Sequence, residues 1–290
     1  MKSGIIVLMI VSLLVLSGAA GCQNTTTAAD TTIGLEMAFS ANAPPVSSIV
    51  DKEFPIYIEV INKGGEYINK DGAKFYLEGI GKNLDNVKAS LSNDKTLSKE
   101  SVFPDKLVFS EKAKFTFPLQ NMFVLPLVLT SCYTYSTRAQ GTICIAGSNE
   151  SKVCSLKDAK TVSNTAGPVQ ISDISEEIVG NKIILSFDIL NKGKGQIYLA
   201  NTDCDKLMAQ DLAESMKQGK INIKISTSDG ITCKLQSDAG QILALEGMVP
   251  VGKVTCEKAI SDNEYSSVLT VELRYKYKDL ISQSINILPA

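Results

Sequence analysis

Phe54-Pro55-Ile56-Tyr57-Ile58-Glu59-Val60-Ile61-Asn62-Lys63-Gly64 and Ile183-Ile184-Leu185-Ser186-Phe187-Asp188-Ile189-Leu190-Asn191-Lys192-Gly193 are two copies of one pattern. Ile56, Ile58 and Val60 alternate with more polar positions, as Leu185, Phe187 and Ile189 do. That period of two belongs to a half-buried strand, because successive side chains of a strand point to opposite faces. Glu59 and Asp188 hold the same outward position, and each copy runs into Asn-Lys-Gly, a tripeptide suited to a turn. The chain is therefore an internal repeat built on strands.

A second correspondence closes each copy. Leu129-Thr-Ser-Cys132-Tyr133-Thr-Tyr135 aligns without a gap on Val271-Glu-Leu273-Arg274-Tyr275-Lys-Tyr277, and Ile143-Cys-Ile145 aligns on Ile285-Asn-Ile287. This predicts a terminal hairpin in each copy, its two tyrosines facing two isoleucines of the same copy. Further strands are expected at 35–39, 74–79, 103–109 and 113–119, and in the second copy at 169–174, 221–226, 231–235, 241–245 and 253–256. Asp71-Gly72 and Asp229-Gly230 read as hairpin turns. One helix is expected over Asp205–Gln218, with Leu207, Ala209, Leu212 and Met216 on its apolar side. Short strands at this turn-punctuated spacing predict an all-β chain of two tandem Ig-like β-sandwiches, residues 33–146 and 169–290, joined by a polar linker, 147–168.

The strand–Asn-Lys-Gly–strand unit over Ile56–Gly65 and Leu185–Gly195 resembles the CARDB-type adhesion-associated Ig-like domains of bacterial and archaeal surface proteins. Ala43-Pro44-Pro45 and the closing Tyr-x-Tyr segment are similar to features of uncharacterised archaeal surface proteins with such domains. The resemblance covers most of residues 33–288 through a short, degenerate motif. It implies a spacer or binding module in an exported protein and brings no catalytic residues.

The amino terminus gives the same address. Lys2 precedes an uncharged run from Gly4 to Gly21, which breaks into small residues before Cys22. A positive start, an apolar middle and a small-residue exit describe an export signal within residues 1–22. Ala19-Ala20-Gly21-Cys22 resembles a lipobox, which implies a lipid on Cys22, although Ala19 stands where leucine is usual. Two other readings of the leader are a plain signal cut after Ser17-Gly18-Ala19 and an uncleaved anchor. All three place the remainder outside the membrane, tethered to its outer face or released. Residues 23–32 (QNTTTAADTT) form a threonine-rich tether. Asn24-Thr-Thr and Asn149-Glu-Ser are glycosylation sequons, making Asn24 and Asn149 candidate acceptors.

Composition narrows the function classes. A net charge of −2 offers no basic field for nucleic acid. Histidine is absent, which removes Ser-His-Asp and Cys-His catalysis and the usual zinc or copper sites. Tryptophan is absent too, and with it the commonest stacking platform for sugars. Only two of the 29 basic residues are arginines, Arg138 and Arg274, so bidentate phosphate or carboxylate clamps are poorly provided for. These absences argue against an enzyme and against a metal or cofactor. The expected partners are other surface proteins or glycans, together with the membrane through the amino-terminal anchor.

Setting Cys22 aside leaves Cys132, Cys144, Cys154, Cys204, Cys233 and Cys256, an even count in an exported chain, which favours disulfides. Three cysteines belong to each half. Because three is odd, complete pairing requires at least one bridge between the halves. The first choice is Cys144–Cys154, Cys233–Cys256 and a crossing Cys132–Cys204. The runner-up is Cys132–Cys144 with Cys154–Cys204, again with Cys233–Cys256.

The remaining candidates have simpler structural readings. Asn69-Lys-Asp71-Gly72 and Asn201-Thr-Asp203-Cys-Asp205 space oxygen ligands as calcium loops do, but neither continues to a distal glutamate. A turn and a helix cap at Asp203 or Asp205 explain them. Tyr133, Tyr135, Tyr275 and Tyr277 form either an aromatic binding strip or sandwich core, and their repetition beside apolar residues favours core.

Overall fold

The computed structural model describes residues 32–290 except 80, 82, 100, 149–150, 159, 228–229, 236–241, 244–245, 251 and 261–262, with backbone alone over the rest of 234–250. The chain is all-β. The first half holds β1 (Leu35–Phe39), β2 (Ser47–Ile49), β3 (Glu53–Asn62), β4 (Ala73–Glu78), β5 (Leu84–Asp85), β6 (Ser90–Ser92), β7 (Asp105–Phe115) and β8 (Phe123–Ile145). β9 (Val162–Asn164), β10 (Val169–Ile171), β11 (Ser175–Val179), β12 (Lys182–Asn191) and β13 (Gln196–Leu199) follow. After α1 (Cys204–Met208) and α2 (Leu212–Ser215) come β14 (Lys220–Ser226), β15 (Thr232–Leu235), β16 (Ile242–Leu243), β17 (Glu246–Pro250), β18 (Lys253–Ala259) and β19 (Tyr265–Leu288).

The strands form a four-stranded sheet β1-β3-β7-β5, a six-stranded sheet around β10-β12-β18-β15-β16, and a nine-stranded sheet around β17-β14-β19-β8-β4-β6. The two small sheets are copies of one order, with β1, β3, β7 and β5 matching β10, β12, β18 and β15. The large sheet reads the same from either end once the copies are exchanged, since β6-β4-β8 matches β17-β14-β19. The buried faces of all three sheets contribute to one continuous core, in a β-sandwich-like arrangement.

β8 and β19 make the centre of the large sheet. They pair antiparallel without interruption from Phe123↔Ile287 to Ile145↔Tyr265. A strand of 23 residues spans about 75 Å at the usual rise. The terminal hairpins expected from the sequence do not form. Ile143 and Ile145 lie opposite Ser267 and Tyr265 of the second copy, while Ile285 and Ile287 lie opposite Leu125 and Phe123 of the first. The physical reason is the alternation itself: every odd position from Leu125 to Ile145 is buried, so no register change interrupts the strand. Ser136–Gly141 also lacks the Asn-Gly or Asp-Gly dipeptide that a tight reversal favours.

The turns differ from expectation in a related way. After Asn62 and Asn191 the chain crosses from a small sheet to the large one, so Asn-Lys-Gly joins layers and not neighbouring strands. Asp71-Gly72 is a turn, with Asp71 at φ +61°, but it leads into β4, whose partners are β8 and β6. Asp229 lies outside the described residues. The expected strands at 103–109 and 113–119 merge into β7, which ends at Phe115, leaving Phe117 exposed. The expected helix is two short ones. Gln210 at φ +61° ends the first, and Asp211 caps the second by accepting from Glu214 N. Leu212 and Met216 stay exposed, so their side of the segment gains nothing from burial that would hold a longer helix together.

Candidate functional site

Tyr133 and Tyr135 on β8 lie opposite Tyr277 and Tyr275 on β19. Exchanging the two copies leaves this pairing unchanged, so a pseudo-two-fold passes through the Thr134–Lys276 pair. The four rings form a closed belt in the core, with centroid separations of 5.9 Å (Tyr133–Tyr135 and Tyr133–Tyr277), 6.2 Å (Tyr135–Tyr275) and 6.3 Å (Tyr275–Tyr277). Most of these contacts are edge-to-face, the arrangement that ring quadrupoles favour.

Each hydroxyl takes a backbone N–H, and the two copies repeat the pattern. The first tyrosine of each pair serves an opening strand: Leu35 N donates to Tyr133 Oη (3.2 Å) and Val169 N to Tyr275 Oη (3.3 Å). The second serves the turn after Asn-Lys-Gly: Glu66 N donates to Tyr135 Oη (3.1 Å) and Gly195 N to Tyr277 Oη (2.7 Å). The asparagine closes the same turn, Asn62 Nδ2 donating to Glu66 O (2.7 Å) and Asn191 Nδ2 to Gly195 O (2.8 Å). Gly34 O receives Lys63 N, and Pro168 O receives Lys192 N in the same way. The glycine of the tripeptide follows from this packing. A Cβ on Gly64 would stand 1.6 Å from Tyr135 Oη, and one on Gly193 2.2 Å from Tyr277 Oη.

Burial governs the electrostatics of the belt. It holds Tyr133 and Tyr275 well above the ordinary phenol value and pushes Tyr135 and Tyr277 up to about 12. All four therefore remain neutral hydroxyls at physiological pH. They act as hydrogen-bonding core, which is the structural reading of the aromatic strip.

The bridges are Cys132–Cys204, Cys144–Cys154 and Cys233–Cys256, the first of the two pairings set out from sequence. Cys132 lies on the outer face of β8 and ties α1 of the second half onto it. Beside it Lys74 and Tyr76 of β4 both reach Asp205, Tyr76 Oη donating at 2.7 Å. Lys74 and Tyr76 together hold the Asp205 carboxyl below its ordinary value. Asp203 caps the same helix, accepting from Asp205 N and Lys206 N. Asp203 is thus the helix cap that the sequence favoured over a calcium loop, and Asp205 adds an inter-half strut. Cys144 N donates to Glu176 Oε1 (2.8 Å), whose side chain is wholly buried with Lys160 Nζ 3.5 Å from Oε2. Burial raises the Glu176 carboxyl, against the opposing pull of the Cys144 N–H and Lys160.

Two open grooves flank the belt. One, of about 660 Å³, runs between β1 and the second half's turn and includes Leu35, Met37, Lys192, Lys194 and Leu280. The other, of about 400 Å³, is polar and includes Glu66, Tyr67, Asn69, Glu272 and Arg274. Sequence reading missed both, since each joins residues from the two copies. Cys22, Asn24, Asn149 and residues 23–31 lie outside the described residues. Among the described residues no helix is long and apolar enough to cross a membrane, which says nothing of strands.

No protein-family model matches the chain, and no curated protein matches it. Among solved structures, an alpha-2-macroglobulin of Escherichia coli activated by porcine elastase aligns at 9% identity over 88% of this chain, with a TM-score of 0.15. The chain spans about a third of that structure's length, 33%. A structure described as manganese lipoxygenase of Gaeumannomyces graminis with part of zonadhesin of Komagataella pastoris aligns at 9% identity, over 87% of this chain and 92% of that one, with a TM-score of 0.13. Similarities this weak carry no argument about fold or function.

Proposed function

We propose that this protein is a membrane-tethered extracellular spacer or adhesin of two Ig-like domains of CARDB type, stiffened between its halves and without catalytic activity. The observation that carries the reading is the β8–β19 ribbon, paired over the length of both halves. A joint made of two continuous strands resists bending, and the Cys132–Cys204 bridge adds a covalent brace beside it. Three disulfides mark an exported chain that matures in an oxidising compartment. Cys22 supplies the lipid anchor in this reading, and other surface proteins or glycans are the partners.

The test is non-reducing peptide mass spectrometry of protein isolated from membranes, paired with small-angle scattering of the purified chain. The expected result is a lipidated Cys22, the Cys132–Cys204 bridge and an elongated particle whose shape persists in the Cys22→Ala variant. An unmodified chain found in the medium, or a particle with a flexible joint, would overturn the tethered rod.

The 660 Å³ groove favours a second reading, a ligand-binding or accessory subunit of an envelope complex that uses the face between the halves. In that case Leu280→Asp, at an exposed position on the groove wall, abolishes capture of the partner while the particle's shape is unchanged.

A further inference from the structure

The two halves diverge where the chain leaves the belt. Glu66 and Gly195 are counterparts, since the N–H of each donates to its copy's second belt tyrosine. After Gly195 the chain runs on as β13, pairing with the edge of β19 from Gln196↔Lys278 to Leu199↔Tyr275. After Glu66 it turns away from β8. Ile68 pairs with Leu97 instead, and the two exchange backbone hydrogen bonds of 3.1 and 2.8 Å. Among the described residues, β4 pairs with β8 up to Tyr133 and β9 resumes at Ala139. The polar groove of about 400 Å³ lies at this gap, with Thr134 and Ser136 of β8 in its lining.

The polar side chains of the groove come from both copies and are uncommitted. Glu66 and Asn69 belong to the turn after the belt, and Glu272 and Arg274 to β19. Among the described residues none of these four side chains has a hydrogen bond or an ion pair, although charges of both signs share the groove. Arg138, the chain's other arginine, stands directly opposite Glu272 in the β8–β19 pairing. Tyr67 adds an aromatic wall that is 56% exposed, with Lys99 Nζ 5.7 Å from its ring centroid.

This combination restricts what can bind. A carboxylate accepts from neighbouring hydroxyls, a guanidinium donates in a fork to adjacent oxygens, and amide and hydroxyl groups do both. A ligand of net negative charge meets Glu66 and Glu272, and one of net positive charge meets Arg138 and Arg274. A neutral sugar ring meets neither penalty. Its adjacent hydroxyls donate and accept, and its C–H face packs on an aromatic ring. The groove's volume is within the range of small-ligand sites.

We propose that this groove is a binding site for a neutral glycan. Tyr67 packs on the face of a sugar ring, Arg274 and Asn69 donate to its oxygens, and Glu66 and Glu272 accept from its hydroxyls. The second copy has no equivalent, because β13 fills the corresponding place on β19. Glycan is then the partner of the adhesin proposed above, and that role rests on the adhesin reading. The chemistry of the groove does not.

Saturation-transfer NMR of the full chain with maltose, lactose, mannobiose and chitobiose tests it. At least one of these neutral sugars should bind with a dissociation constant of about 1 mM or tighter. Tyr67→Phe should keep that affinity, whereas Tyr67→Ala and Arg274→Ala should each weaken it about tenfold or more. Tyr67 and Arg274 are exposed, so an unchanged urea midpoint should show that these variants fold as the natural chain does. Lys194→Ala, in the other groove, should bind as the natural chain does. Absence of binding by all of these sugars would overturn the site, and so would equal affinity in the natural chain and both alanine variants. Preference for glucuronate, glucosamine or an end-blocked tetraglycine peptide over the neutral sugars would overturn the ligand class. None of these results depends on the particle's shape or on Cys22, so the glycan site and the tethered rod fail separately.

Discussion

The tyrosine hydroxyl and the glycine facing it form one unit. Tyr135 Oη fills the space in which a Gly64 side chain would sit, and it satisfies the N–H of Glu66. Gly64→Ala should cost about 1–3 kcal/mol through overpacking. Tyr135→Phe should cost a similar amount, because a part-buried N–H loses its acceptor. The double variant should cost less than the sum by about 1 kcal/mol, since removing the hydroxyl also removes the clash. Urea unfolding of the four chains measures this, and strict additivity would count against the contact. Alkaline pH probes the same groups. A folded-state pKa raised to about 12 at Tyr135 and Tyr277 gives stability that is full below the unfolded value near 10 and is lost as pH rises through 12. The urea midpoint should hold steady to about pH 9.5 and fall beyond it, and a flat profile to pH 11 would contradict the buried belt. The aromatic pairs and the Asn-Lys-Gly tripeptides were visible in the sequence. Their mutual contact was not, because it joins residues 69 and 82 positions apart.

At the scale of elements, covalent and ionic braces differ in weight. Cys132–Cys204 closes a loop of 72 residues and Cys144–Cys154 one of 10. Chain-entropy arithmetic gives about 4 and about 3 kcal/mol for their loss. The Lys74–Asp205 pair beside the first bridge is largely solvent-exposed, so Asp205→Asn should cost under about 1 kcal/mol. Chemical unfolding of Cys132→Ala/Cys204→Ala, Cys144→Ala/Cys154→Ala and Asp205→Asn should rank them in that order. Cysteine parity made a crossing bridge readable before any coordinates. The split of the expected helix was less readable, because its apolar positions promised a buried side that the fold leaves in solvent at Leu212 and Met216.

At the scale of the molecule, each half contributes its longest strand to the other. Thr137–Ile145 of the first copy pairs with the opening of β19, and Lys278–Ile287 of the second with the opening of β8. Neither half keeps its core if the other unfolds. The expectation is one cooperative transition, with far-ultraviolet circular dichroism and tyrosine fluorescence coinciding across a urea titration. Two separated transitions would show that the halves are independent and that the ribbon is a weak joint.

The sequence by itself determined the all-β class, the repeat, the positions of most strands and the requirement for a bridge between halves. Each of these follows from local alternation or from counting. The tertiary structure alone decided that β8 and β19 continue past the belt into each other's half, and that the turns join layers. The reason is physical. Alternation fixes which face of a strand is buried but says nothing about which strand lies beside it. A hairpin and a long ribbon bury the same odd-numbered side chains, and only the competition among all possible neighbours selects between them.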